Sequence, residues 1–117
     1  MTVTLGAALL VGLGGVAGAS ARYGVGTRLP GPRATLLVNV LGSVALGALV
    51  AAGVSGRPAL VVGTGFCGAF TTFSSFAVEV VDRLERGDAR AGAWYAGVTI
   101  AAALFGVGVG TLLGSAL

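Results

Sequence analysis

Four apolar runs of about 20 residues fill nearly the whole chain, at roughly 3–23, 34–54, 59–81 and 91–117. About 20 residues in helical form cross the hydrocarbon core of a bilayer. Each such run is therefore read as a membrane-spanning helix. The breaks between them are sharp. Arg22-Tyr23 closes the first run, and a Pro- and Gly-rich linker follows up to Arg33. Ser55-Gly56-Arg57-Pro58 closes the second, with Pro58 suited to the first turn of the third. Between the last two lies the one densely charged stretch, Glu79 to Arg90. Glu79/Arg83 and Asp82/Arg86 stand at i,i+4, so the third helix is expected to continue past the membrane surface. The expected fold is all-α and integral to the membrane. Four transmembrane helices form one domain over 1–117, with no room for a separate soluble domain.

The 117 residues are 56% hydrophobic and 9% charged, and the mean hydropathy is +0.99. All seven basic residues are Arg, and the net charge of +3 is spread out, which excludes a nucleic-acid surface. Cys67 is the one cysteine and there is no histidine. An intrachain disulfide and a zinc cluster are therefore excluded. The N-terminus has no basic region before its apolar run, so no cleaved leader is expected. Gly14 and Gly18 are four apart, as are Gly106, Gly110 and Gly114. Such ladders let helix backbones approach closely.

The third run is unlike the others. Residues 68–76 read Gly-Ala-Phe-Thr-Thr-Phe-Ser-Ser-Phe. Four hydroxyls lie among three phenylalanines, where a packing helix would carry Leu, Val or Ala. Gly weakens a helix, and Ser and Thr offer its backbone other partners. The helix is therefore expected to break between Gly68 and Ser74. A break frees carbonyls at membrane depth, and freed carbonyls suit a hard cation such as Na⁺. The alternative is an unbroken helix whose hydroxyls bond back to it.

Polar groups at membrane depth usually line a cavity or path. Asn39, amid Leu-Leu-Val-Asn-Val-Leu, either bonds a neighbouring helix or faces an anion as a donor. Thr99, one turn after Tyr95, is a second donor unless it bonds its own helix. Phe73 and Phe76 share a face. Their positive ring edges would suit an anion, although by composition alone ordinary packing is the stronger reading. Arg22 at the end of the first run either snorkels or draws anions into a vestibule. Glu79 is expected to pair with Arg83, with a place at a pore mouth as the other reading. No catalytic set is visible, so no enzyme activity is expected.

These residues together resemble the CrcB/Fluc fluoride channel family. Gly18-Ala19-Ser20-Ala21-Arg22-Tyr23 is similar to its close of helix one, and Asn39-Val40-Leu41-Gly42-Ser43 to a motif of helix two. Residues 65–76 resemble its specific helix-three signature. The resemblance implies an antiparallel, dual-topology dimer with two pores. It implies that the backbone carbonyls of Gly68 and Thr71 hold a structural Na⁺, shared with a partner's pair. It implies fluoride paths lined by Phe73, Phe76 and Asn39, with Thr72 and Ser75 as neighbours. Thr99 would belong to a polar track. One turn later the chain has Ala103 where a further hydroxyl is expected. Arg22 would lie near a vestibule and Glu79 near a pore end. The implied role is passive export of fluoride through the cell membrane.

Basic residues predict the orientation. The first and third linkers carry Arg28, Arg33, Arg83, Arg86 and Arg90, whereas the other side carries only Arg57. This bias predicts linkers inside and both termini outside. A one-way chain needs an oppositely oriented homologue to build an antiparallel dimer, so a heterodimer is favoured over a homodimer. Two rival readings remain. A small multidrug transporter needs an acid at membrane depth, and the runs hold none before Glu79. A structural subunit of a larger assembly would explain the glycines but not the hydroxyl run.

Overall fold

Four helical passages run along a molecule whose longest dimension is 47 Å, comparable with a bilayer including its headgroups, about 40–45 Å. The computed structural model describes residues 3–117, and among these there is no strand. The first passage is α1, Leu5–Arg28, and the second is α2, Pro32–Ala51. The third, Gly56–Glu85, is composite. One turn, α3 (Gly56–Pro58), leads into a π-helical segment, Ala59–Cys67. Another turn follows, α4 (Gly68–Phe70), then two extended residues and α5, Phe73–Glu85. The fourth passage is α6, Ala89–Ser115. All four are long and apolar enough to cross a membrane, which makes this a multi-pass membrane protein.

Helix α1 does not end at Tyr23 as the sequence suggests, but continues to Arg28. Gly24 and Gly26 each cost only about 1 kcal/mol within a helix. The firm stop is Pro30, which pushes Leu29 into extended backbone. Pro32 then opens α2 at its first turn.

Helices pair through backbone contact. A Cβ placed on Gly14 or Gly18 of α1 would run into the carbonyls of Val61 and Phe66 in the π segment. On Gly110 and Gly114 of α6 it would meet those of Val44 and Ala48 in α2. Both glycine ladders thus do the close packing expected of them. The third passage changes partner along its length. Before its break it lies on α1, and after it α5 lies on α6. Among the described residues only Val38, Cys67 and Phe70 form a buried apolar core, while large apolar side chains such as Leu13 and Phe105 are exposed. A surface of this kind belongs against lipid or another protein.

Candidate functional site

The site is built on the break. Thr71 and Thr72 are both extended, which interrupts the third passage within the Gly68–Ser74 stretch. The Thr71 amide still closes the helix on the Cys67 carbonyl at 3.1 Å. The Thr72 amide instead donates to Asn39 Oδ1 at 2.8 Å, and the Thr72 carbonyl accepts from Asn39 Nδ2 at 3.0 Å. One side-chain amide of α2 therefore satisfies both backbone groups of Thr72. In an unbroken helix the Thr72 amide would bond the Gly68 carbonyl, so this arrangement releases that oxygen. The Thr71 carbonyl accepts from Arg22 Nη1 at 3.2 Å. The Thr72 hydroxyl caps α5 by accepting from the Ser75 amide at 3.2 Å. Helix α2 comes this close because residue 42 is glycine. Any Cβ there would overlap the Thr71 methyl group.

A groove of about 830 Å³ opens beside the break, between α2, the third passage and α6. It gathers Asn39, Gly68, Thr71 and Thr72 with Phe73, Phe76 and Thr99. Thr99 is 4% exposed, and its hydroxyl has no hydrogen-bond partner. It does not bond back to its own helix, and leaving a buried hydroxyl unpaired costs about 1–3 kcal/mol. Asn39 keeps a second amide hydrogen beyond the one given to Thr72. Phe73 is 78% exposed on the groove. Its ring centroid lies 5.9 Å from that of Phe76, which lies 5.7 Å from that of Tyr95. The three rings form a row from the break toward the far end of α5. Ala103 borders the same groove without a hydroxyl.

At the end of the row the structure corrects the expected Glu79–Arg83 pair. Among the described residues the one ion pair is Asp82–Arg86, at 3.1 Å. The Glu79 carboxylate accepts from the Thr35 hydroxyl on one oxygen and from the Tyr95 hydroxyl, at 2.9 Å, on the other. Arg83 donates to the Glu79 backbone carbonyl at 2.9 Å, and its guanidinium lies 4.5 Å from the centre of the Tyr95 ring. Two neutral hydroxyls satisfy the carboxylate without desolvating a second charge. Thr35 went unnoticed in the sequence, although it lies one turn before Asn39 on the same face of α2.

Ser75 and Arg22 belong elsewhere. They border a second cavity of about 380 Å³ between α1, α2 and α5, with Thr35 and Tyr23. Thr72 forms a wall of both cavities. Ser75 is thus separated from the face that carries Phe73 and Phe76. Among the described residues no three His, Cys, Asp or Glu stand together.

The chain is similar to known proteins over most of its length. Residues 9–111 match the model of the family described as CrcB-like protein, Camphor Resistance (CrcB). A protein of Natronomonas pharaonis called fluoride-specific ion channel FluC 2 is 55% identical over 112 residues, covering 94% of this chain and 96% of its own. Haloarcula marismortui has a FluC 2 that is 49% identical over 110 residues, or 92% of each chain. It also has a FluC 1, 51% identical over 84 residues, covering 68% of this chain and 66% of its own. With four membrane-crossing passages and a match over most of its length, the chain belongs to the CrcB family.

Proposed function

We propose that this chain forms a fluoride-selective channel that lets fluoride leave the cell down its gradient. The observation that carries the reading is the Thr99 hydroxyl, buried without a partner at the groove that also holds Asn39 and Phe73. Fluoride is small and strongly hydrated, so a filter must replace its lost water with donors. A hydroxyl, an amide hydrogen and ring edges do this without a fixed cation that would trap the ion. The names of the relatives support the same ligand. HF crosses membranes and ionises in a neutral cell, so a passive path suffices for export. No bond is made or broken, and the protein acts as a channel rather than an enzyme.

The open groove calls for a second copy or a homologue, inserted in the opposite sense, to close it. The arginine bias favours a homologue, with both termini of this chain outside. Haloarcula marismortui carries both a FluC 1 and a FluC 2, which supports pairing of two related chains. The carbonyls of Gly68 and Thr71 fit a structural Na⁺. The first loses its helical donor to Asn39, and the second keeps a lone pair beyond the one used by Arg22. Two oxygens are too few to enclose a hard cation, so a partner's pair would join those of one chain. A cation there would supply a fixed positive charge at the centre of the assembly.

The test is fluoride efflux from liposomes, followed with a fluoride electrode, for the chain alone and with a paired homologue. Fast efflux of fluoride and not chloride is expected. No efflux in either setting would leave a structural subunit. Stable conducting homodimers in both orientations would overturn the heterodimer.

A further inference from the structure

Arg22 stands more than a turn inside the end of α1, where a charge without a partner is costly. Among the described residues it makes no ion pair, and its one hydrogen bond goes to the Thr71 carbonyl at 3.2 Å. Its place follows from the glycine ladder. Gly14, Gly18 and Arg22 are four apart and share a face of α1. The bare backbone at Gly18 lies against the Phe66 carbonyl. That close approach brings the next step of the ladder, Arg22, onto the break. The peptide it reaches is held at its other end too. A peptide unit is planar, so the Thr71 carbonyl and the Thr72 amide turn as one body. The Thr72 amide donates to Asn39 Oδ1 at 2.8 Å. Helices α1 and α2 thus grip opposite ends of a single peptide. A bond accepted at the carbonyl polarises the peptide and makes its N–H a stronger donor. Arg22 borders the second cavity and not the groove, whereas Asn39 borders the groove. The contact between Arg22 and the groove therefore runs through this peptide.

We propose that Arg22 is a positioning residue for fluoride passage, pinning the carbonyl end of the 71–72 peptide and, through the amide end, fixing Asn39. The proposal rests on the fluoride-channel reading, and the role is separate from any attraction of anions by the Arg22 charge. Asn39 spends one edge of its planar amide on Thr72, at 2.8 and 3.0 Å. Its second N–H points away from Thr72. With the peptide pinned, that hydrogen is offered in one direction. Without Arg22, the peptide rocks about the line joining its Cα atoms and carries the Asn39 amide with it. A donor aimed differently from moment to moment is a poorer substitute for the water an ion has lost.

The test combines a double-mutant cycle, read by melting in detergent, with fluoride efflux from liposomes in the assembly that conducts. The cycle uses wild type, Arg22→Met, Asn39→Ala and the double variant. Methionine keeps the long stem without a donor. Arg22→Met should lower the melting temperature by roughly 4–8 °C in wild type, and by less than about half of that beside Asn39→Ala, because both residues hold one peptide. It should slow efflux about tenfold. The slowing should be the same in about 0.1 M and about 1 M potassium salt, since a part-buried hydrogen bond is screened far less than an exposed charge. Arg22→Lys keeps a donor for the carbonyl and should recover most of both losses, and it carries the test if Arg22→Met does not fold. Equal melting losses in both backgrounds would overturn the proposal, as would unchanged efflux in Arg22→Met. A slowing that vanishes in high salt would assign Arg22 to attraction of the ion instead. A slowing reversed by added sodium would place its action on a cation at the Thr71 carbonyl, and the proposal would again be lost. A lysine variant that conducts as poorly as the methionine variant would overturn it too, because a donor alone would then not suffice. Coupled melting in a protein that passes no fluoride would keep the clamp and remove the channel reading beneath it.

Discussion

Two polar regions flank the Phe73–Phe76–Tyr95 row, and they treat their polar groups in opposite ways. At the far end Glu79 has a donor on each carboxylate oxygen. At the groove the Thr99 hydroxyl has none, and Asn39 keeps an amide hydrogen in reserve. Both regions lie at membrane depth or near it, where unpaired polar groups are costly. The far end follows that rule and the groove departs from it. Satisfied polar groups hold helices together. A buried group left unsatisfied is open to a ligand, and under the proposed channel reading that contrast would separate structural from functional polarity.

The largest effect should come from the residue that belongs to both regimes. Asn39 supports the broken backbone through two bonds to Thr72 and also borders the groove. Asn39→Ala would leave the Thr72 amide and carbonyl without partners, at about 1–3 kcal/mol for each group. The expected result is a clearly lower melting temperature in detergent and a loss of fluoride efflux on the order of 100-fold. Asn39→Asp keeps the acceptor for the Thr72 amide but loses the donor. It should recover part of the stability and little of the flux. Recovery of both together would mean that the site needs only a polar side chain at this place.

Threonine-to-valine changes on either side break the comparison more cleanly. Thr35→Val takes a donor from the Glu79 carboxylate and should lower stability by about 1–3 kcal/mol. Thr99→Val removes a hydroxyl that bonds to nothing, so stability should stay level or rise by up to about 1 kcal/mol. Fluoride efflux should nonetheless fall by up to about tenfold, the equivalent of one hydrogen bond. Paired melting curves and efflux rates decide the matter. If Thr99→Val destabilised the protein as Thr35→Val does, the distinction between the two regions would collapse.

The sequence made the groove easier to read than the far end, for physical reasons. Long apolar runs mark membrane passages, and hydroxyls beside Gly68 mark a helix that can break. Asn39 in an apolar helix likewise announces a polar contact. Thr35 announces nothing, because one threonine is tolerated in any helix by bonding its own backbone. Only its spacing from Asn39 and Ser43, at i, i+4 and i+8 on α2, would have marked a polar face. The Glu79–Arg83 spacing pointed the wrong way because local propensity weighs less than two hydroxyls brought by other helices. The end of α1 misled for a similar reason. Glycines looked like a stop, but only Pro30 enforces one. The π segment at Ala59–Cys67 carries no mark in its own residues. It coincides with the stretch where Gly14 and Gly18 of α1 meet the Val61 and Phe66 carbonyls, which is a tertiary fact.

A smaller effect would sharpen the comparison from the other side, by adding a group instead of removing one. Ala103 borders the groove one turn beyond Thr99, on the same face of α6. Ala103→Ser would place a second hydroxyl there. If unsatisfied donors are what the groove offers an anion, the change should raise fluoride efflux, by no more than about threefold, because one neutral hydrogen bond contributes only about 0.5–1.5 kcal/mol and part of that is used in binding as well as in the barrier. Stability should move little, since the new hydroxyl can bond the Thr99 carbonyl while it waits. A rise in chloride efflux alongside fluoride would mean that the hydroxyl simply wets the groove. A rise in fluoride alone would mean that donors, counted one by one along α6, set the rate at which the ion sheds its water.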